Sequence, residues 1–141
     1  MVIVDTTVWI DYFGGIVNRH TSWLRGEAGF RTLALTDLIF CEILQGLRDD
    51  AQVARVQSRL VNFDVLDSGG TALAVEAARN YRFLRGKGYT VRTTVDLFIA
   101  TFCLESSHEL LHCDRDFDPF EKHLGLRVVH PRPTSAEREH S

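Results

Sequence analysis

Five carboxylates, Asp5, Glu42, Asp96, Asp114 and Asp116, stand where one oxygen-rich crevice can be assembled from distant parts of the chain. Asp5 closes the β-branched run Val2-Ile3-Val4, and Asp114 closes a second apolar run ending at Cys113. Both are expected at strand ends, and an open parallel sheet binds its ligands beyond the carboxyl ends of its strands. Asp96 opens a helix from a loop and can face the same rim. Glu42 borders the apolar face that Leu38, Ile39 and Ile43 make on its helix. A carboxylate there is costly to bury unless a cation or donor satisfies it. Acids gathered this way repel one another and hold their protons more tightly unless a metal compensates. Hard oxygen ligands suit Mg²⁺, with Mn²⁺ as a substitute and waters completing the octahedron. Zinc is disfavoured, because no His/Cys set is spaced for it. Such a site activates water and stabilises phosphoryl oxygens.

Taken singly, each acid has a plain explanation. Asp5 and Asp96 suit helix starts, where the macrodipole favours acids. Glu42 suits a solvated helix, and Asp114 and Asp116 suit a turn. Each such explanation covers one residue, whereas a shared metal covers all five. The triplet Asp114-x-Asp116-x-Asp118 is no EF-hand: its sixth position is Pro119 where Gly is required, and its twelfth is Gly125 where Glu is required. Thr6 and Thr7 follow Asp5 directly, so one hydroxyl can hold a phosphate or a metal-bound water, or cap the next helix. Arg48, Arg79, Arg82, Arg85, Lys87, Arg92 and Arg115 are available for a basic rim. Of these, Arg92 and Arg115 fall nearest the expected pocket.

The surrounding composition is that of a globular domain. The chain has 141 residues, 45% hydrophobic and 25% charged, enough for one core and one domain. We place that domain at residues 1–130, followed by a polar, Pro-broken C-terminal tail at 131–141, expected to be loose. No apolar run approaches the ~20 residues that span a bilayer. No basic segment precedes a long apolar one at the start, so a cytoplasmic protein without membrane association is expected. Cys41, Cys103 and Cys113 lack Cys-x-x-Cys spacing and are expected as reduced core thiols. The formal net charge of −3 argues against a simple nucleic-acid-binding module, which is usually basic. It does not argue against an enzyme whose clustered acids hold cations.

The elements that must position these acids alternate. Residues 1–5, 30–35, 63–66, 109–113 and 126–130 read as strands. Helices are expected from Thr6 or Thr7 to about residue 13, over 21–26, 37–47, 49–60, 71–85 and 96–105, with 89–95 a loop and 117–124 irregular or a short helix. Alternation of this kind specifies a doubly wound, mainly parallel sheet in a three-layer α/β/α sandwich.

With these residues in place, the chain resembles the PIN-domain nucleases, and among them the VapC toxins of type II toxin–antitoxin pairs. Met1-Val-Ile-Val-Asp5-Thr6-Thr7 is similar to the family's first motif, Thr36-Asp37 through Glu42 to Gly46 to the second, Val95-Asp96-Leu97 to the third, and Leu110 through Asp114 to Phe117 to the fourth. The match runs from about Met1 to Val129. Where the family often carries Thr or Ser two residues before the fourth acid, this chain has His112. The resemblance implies a Mg²⁺-dependent endoribonuclease that hydrolyses RNA phosphodiester bonds with metal-activated water, leaving a 5′-phosphate and a 3′-hydroxyl. It implies Asp5 and Asp96 as principal metal ligands, Glu42 and Asp114 completing the pocket directly or through water, and Asp116 assisting. Thr6, Arg92 and Arg115 are candidate substrate contacts. The partners implied are RNA, a VapB-type antitoxin inserting into the active-site groove, and a second copy in a homodimer.

Two other classes compete. An aspartate-dependent phosphatase or phosphotransfer domain also uses a strand-end aspartate with Mg²⁺. A dehalogenase-like phosphatase needs a second acid two residues on, where this chain has Thr7, and a receiver needs paired acids at the first strand. A catalytically inactive binding module of the same fold has no reason to keep all the acids.

Overall fold

The computed structural model describes residues 1–135 and 137. Its centre is a four-stranded, wholly parallel sheet of β1 (Val2–Val4), β2 (Leu33–Thr36), β3 (Asp64–Leu66) and β4 (Glu109–Leu111), in the order β3-β2-β1-β4. Val2, Ile3 and Val4 are completely buried, as a central strand covered on both faces requires. Ile3 lies opposite Ala34 on one side and Leu110 on the other.

Among the described residues the helices that flank these strands are α1 (Thr6–Phe13), α2 (Arg19–Glu27), α3 (Asp37–Gln45), α4 (Asp50–Leu60), α5 (Gly70–Gly86), α6 (Thr94–Glu105) and, after β4, α7 (Asp118–Leu124). A 3₁₀ turn, Arg115–Phe117, leads into the last. Helix α1 packs on α2 and α3, and α5 packs on α6. The chain steps outward from β1 through β2 to β3, then returns to place β4 on the other side of β1. Since parallel crossovers are right-handed as a rule, this strand order sets the two groups of helices on opposite faces, the doubly wound α/β/α sandwich expected from the sequence. The reversal between β1 and β4 opens a crevice at their carboxyl ends.

Several boundaries move. The expected strand at 126–130 reduces to a single bridge, Leu110 with Val128. Leu126 N–H is drawn back to Phe120 C=O, closing α7 around left-handed Gly125 (φ 76°); Pro131 has no N–H to extend the pairing. The expected strand at 109–113 stops at Leu111. Of the three cysteines only Cys103 is buried; Cys41 and Cys113 are exposed, against the expectation of core thiols. The loose-tail expectation falls partly on residue 136 and residues 138–141, outside the described residues. Within the described part, the Glu137 carboxylate accepts from Arg19 N–H at 2.9 Å and Arg19 Nε–H at 2.8 Å. Among the described residues no helix is long and apolar enough to cross a membrane.

Candidate active site

The first corner of the site forms where β1 turns into α1. Asp5 N–H donates to Leu111 C=O at 2.9 Å, which fastens the ends of β1 and β4 together. The sequence offered Thr6 or Thr7, and also Asp5, as the cap of α1; the cap is Asp5. Its Oδ2 accepts from Thr7 N–H at 3.3 Å and from the Thr7 hydroxyl at 2.8 Å. A carboxylate accepts at both positions without needing a donor of its own, which suits it to a buried N-cap. Its other oxygen, Oδ1, is buried and has no partner among the described residues. Asp5 is only 2% exposed. Burial pushes its carboxyl up to about 7, and the charge of Asp96 acts in the same direction against the hydrogen bonds from Thr7.

Glu42 enters from α3, where Ile39 and Ile43 are buried and Glu42 stands at the border of that apolar face. The Thr6 hydroxyl donates to Glu42 Oε1 at 2.6 Å, joining α1 to α3 across the crevice. Asp96 lies in the first turn of α6. The Thr93 hydroxyl accepts from Asp96 N–H at 3.1 Å and caps the helix. The Asp96 carboxyl is pushed up to about 6, chiefly by burial, then by the charges of Asp114, Glu42 and Asp116, with Thr93 opposing. The mutual repulsion expected from the sequence is thus present, with burial the larger cause. Thr93 was missed in the sequence, although Thr93-x-x-Asp96 has the spacing of a capped helix start.

The opposite rim is a turn. After β4 ends, the buried His112 accepts from Asp114 N–H through Nδ1 at 3.1 Å, and its ring lies on Phe117 at 4.9 Å. This bends the chain so that Asp114 caps the 3₁₀ turn, its Oδ1 accepting from Asp116 N–H at 2.9 Å. Asp114 therefore reaches the crevice from a turn three residues past β4, where an extended strand had been expected. One oxygen each from Asp96, Asp114 and Asp116 lies within 4.8 Å of the others. Asp5 and Glu42 lie outside that tightest group, but the charge of Asp96 acts on Asp5 and that of Glu42 acts on Asp96.

The donor set fits a hard divalent cation. Every candidate ligand is a carboxylate oxygen, and the unpartnered Asp5 Oδ1 is the kind of buried acceptor that a cation satisfies. Arg92 Nη1 lies 3.8 Å from Asp116 Oδ1, and Arg92 and Arg115 line a cleft of about 750 Å³ beside the acids. The other basic residues sort differently: Arg79 pairs with Glu76, while Arg85 and Lys87 lie over Tyr81 and Phe83 on α5.

An acidic, cation-competent crevice at the switch point of an open parallel sheet defines an α/β protein with a metal-dependent type of site. The PIN domain family profile matches residues 2–122, and the chain belongs to that family. The VapC ribonuclease Mb1587 of Mycobacterium bovis and ribonuclease VapC11 of Mycobacterium tuberculosis are each 34% identical to it over 133 residues. Each alignment covers 92% of this chain and 98% of the relative. Among solved structures, VapBC2 from Rickettsia felis, bound to a DNA fragment from its promoter, superposes with a TM-score of 0.74 at 16% identity, covering 92% of this chain and 98% of that one.

Proposed function

We propose that the chain is an endoribonuclease of the VapC type, the toxin of a toxin–antitoxin pair, working with Mg²⁺ or with Mn²⁺ in its place. The observation that carries this reading is the convergence of Asp5, Glu42, Asp96, Asp114 and Asp116 on one crevice, with a buried Asp5 oxygen left open to a cation. The ribonuclease relatives, alike over nearly their whole length, support the choice of RNA. They also weigh against the phosphotransfer alternative, and the full set of acids weighs against an inactive module.

In this reading Asp5 and Asp96 hold the metal directly, Glu42 and Asp114 complete its surroundings, and Asp116 assists from the rim. The bound cation supplies a lowered pKa for water and charge neutralisation on the phosphoryl oxygens. Thr7 fixes one Asp5 oxygen and leaves the other, buried and unpartnered, to accept from a cation. Thr6 fixes Glu42, and a substrate phosphate would compete for the same hydroxyl. Asp5 and Asp96 give up protons on binding the cation, so loading is harder in acid. Arg92 and Arg115 meet the RNA backbone at the cleft. Cleavage leaves a 5′-phosphate and a 3′-hydroxyl. Residues 1–130 form the nuclease domain and 131–141 its tail. The protein is cytoplasmic, forms a homodimer, and assembles with a VapB-type antitoxin that occupies the active-site groove.

The test is direct. Antitoxin-free protein is mixed with RNA from its host, with Mg²⁺ or with EDTA. Discrete cleavage with Mg²⁺ and none with EDTA is expected; cleavage that EDTA leaves untouched would sink the metal reading.

A further inference from the structure

Beside the carboxylates lies a cleft of about 750 Å³, walled by residues 88–92 between α5 and α6 and by residues of the 3₁₀ turn and α7. Asp116 belongs both to this cleft and to the acid cluster, so the two spaces adjoin. Three cations line the cleft: Arg92, Arg115 and Lys122. Three acids line it too, but two are engaged elsewhere. Asp116 faces Asp96 and Asp114, and Glu121 Oε2 lies 2.7 Å from His130 Nε2. Among the described residues, neither Arg115 nor Lys122 has an ion pair or side-chain hydrogen bond, and both are exposed. Arg92 is 77% exposed and approaches Asp116 no closer than 3.8 Å. The cleft therefore presents three cations open to an anion, against Asp118 as its one acid not engaged elsewhere among the described residues.

Its aromatic wall is Tyr89. The residue is half-buried, its ring lies 5.1 Å from that of His123, and its N–H donates to Leu84 C=O at 2.9 Å. A fixed aromatic face beside uncommitted cations is the combination that holds single-stranded nucleic acid. A cleft of this size also lies in the range of about 300–1,000 Å³ that encloses one small ligand.

We infer that this cleft seats the nucleotide adjoining the cleaved phosphodiester of a single-stranded RNA, its base against Tyr89 and its phosphate met by Arg115 and Lys122. This rests on the ribonuclease reading and gives that site a second subsite, with Tyr89 and Lys122 as residues not otherwise assigned. Recognition of unpaired bases by stacking, with backbone charge neutralised at one side, is the usual way RNA is held for sequence-selective contact.

The experiment uses antitoxin-free protein and a fluorescein-labelled, random-sequence single-stranded oligoribonucleotide pool with Mg²⁺. Lys122→Ala and Arg115→Ala are expected to raise KM, with the loss falling on KM and not on kcat. Each is expected to reduce the slope of log(kcat/KM) against log[salt] by about 0.7. Tyr89→Leu is expected to raise KM by about 5-fold or more, and Tyr89→Phe, which keeps the face, to restore it. Exposed Lys122 keeps the test informative if Tyr89→Leu fails to fold. If the wild-type protein cleaves no RNA, the ribonuclease reading itself falls. If it cleaves and the Lys122 and Arg115 variants match its KM and salt slope, only the cleft assignment falls. Unchanged KM with weakened binding of a purified antitoxin would make the cleft a protein contact and overturn the inference.

Discussion

Asp5 is 2% exposed, sits at the joint of β1 and α1, and has one oxygen gripped by Thr7. Asp116 rides on a three-residue 3₁₀ turn, partly exposed, with Arg92 3.8 Å away at the mouth of a cleft. Both contribute to the same cluster of acids, yet they are built for different duties. The inner corner is preorganised: its backbone is tied to two strands, its hydroxyl donors are in place, and burial keeps its carboxyl protonated up to about 7. The outer rim is set by local turn bonds and His112, and it is partly open to solvent. Affinity for a cation is therefore expected to reside inside, and adjustment to substrate outside.

Removing an inner ligand should have the largest effect. Asp5→Asn or Asp96→Asn is expected to cut RNA cleavage by more than roughly 100-fold, beyond the ~10–100-fold typical of groups that merely support a metal ligand. The folded state, followed by circular dichroism, should survive both substitutions. Stability should expose the same corner. Asp5 titrates near 3.8 when unfolded and about 7 when folded, so the folded chain binds more protons between those values. Metal-free protein should therefore lose stability as pH rises from 4 to 7, with at most about 4 kcal/mol of the loss due to Asp5 at 1.36 kcal/mol per pKa unit. Urea melts in EDTA at pH 5 and pH 8 measure this. Asp5→Asn should reduce the slope to the smaller part that Asp96, raised to about 6, contributes, and Mg²⁺ should restore stability at pH 8. A wild-type protein equally stable at both pH values in EDTA would contradict the buried, protonated Asp5.

Intermediate effects belong to supports. Thr6→Val deletes the donor to Glu42 and is expected to cost about 10-fold in activity, with weakened Mg²⁺ dependence of the rate. The rim should be most forgiving. Asp116→Asn is expected to reduce activity by less than Asp5→Asn does. Arg92→Ala, removing a largely exposed cation, should lower kcat/KM only a few-fold and weaken its salt dependence. Equal losses for Asp116→Asn and Asp5→Asn would erase the distinction between corner and rim.

The inner corner was also the part most legible in the sequence. Val2-Ile3-Val4 followed by an acid states a buried parallel strand and its ligand end, and the periodicity of α3 places Glu42 at the edge of its apolar face. Alternation of strands and helices was enough for the layer order. The rim was harder, because turns depend on side-chain bonds that composition does not show. Cys113 was read as strand and core, but the His112 bond to Asp114 N–H ends the extended run and leaves Cys113 exposed. Leu126 to His130 has a strand's composition, yet the cap of α7 takes its first N–H and Pro131 ends it, leaving a single bridge. The cleft wall at residues 89–92 read as part of a plain loop at 89–95, since nothing local announces that α7 will face it.

The central claim is that this carboxylate cluster cuts RNA. Its most direct test is sequencing of RNA 5′ ends after induction of the wild-type chain and of Asp96→Asn in parallel. The account predicts new, discrete 5′-phosphate ends with the wild type and their disappearance with the variant. The same ends in both, or none in either at equal protein levels, would contradict it.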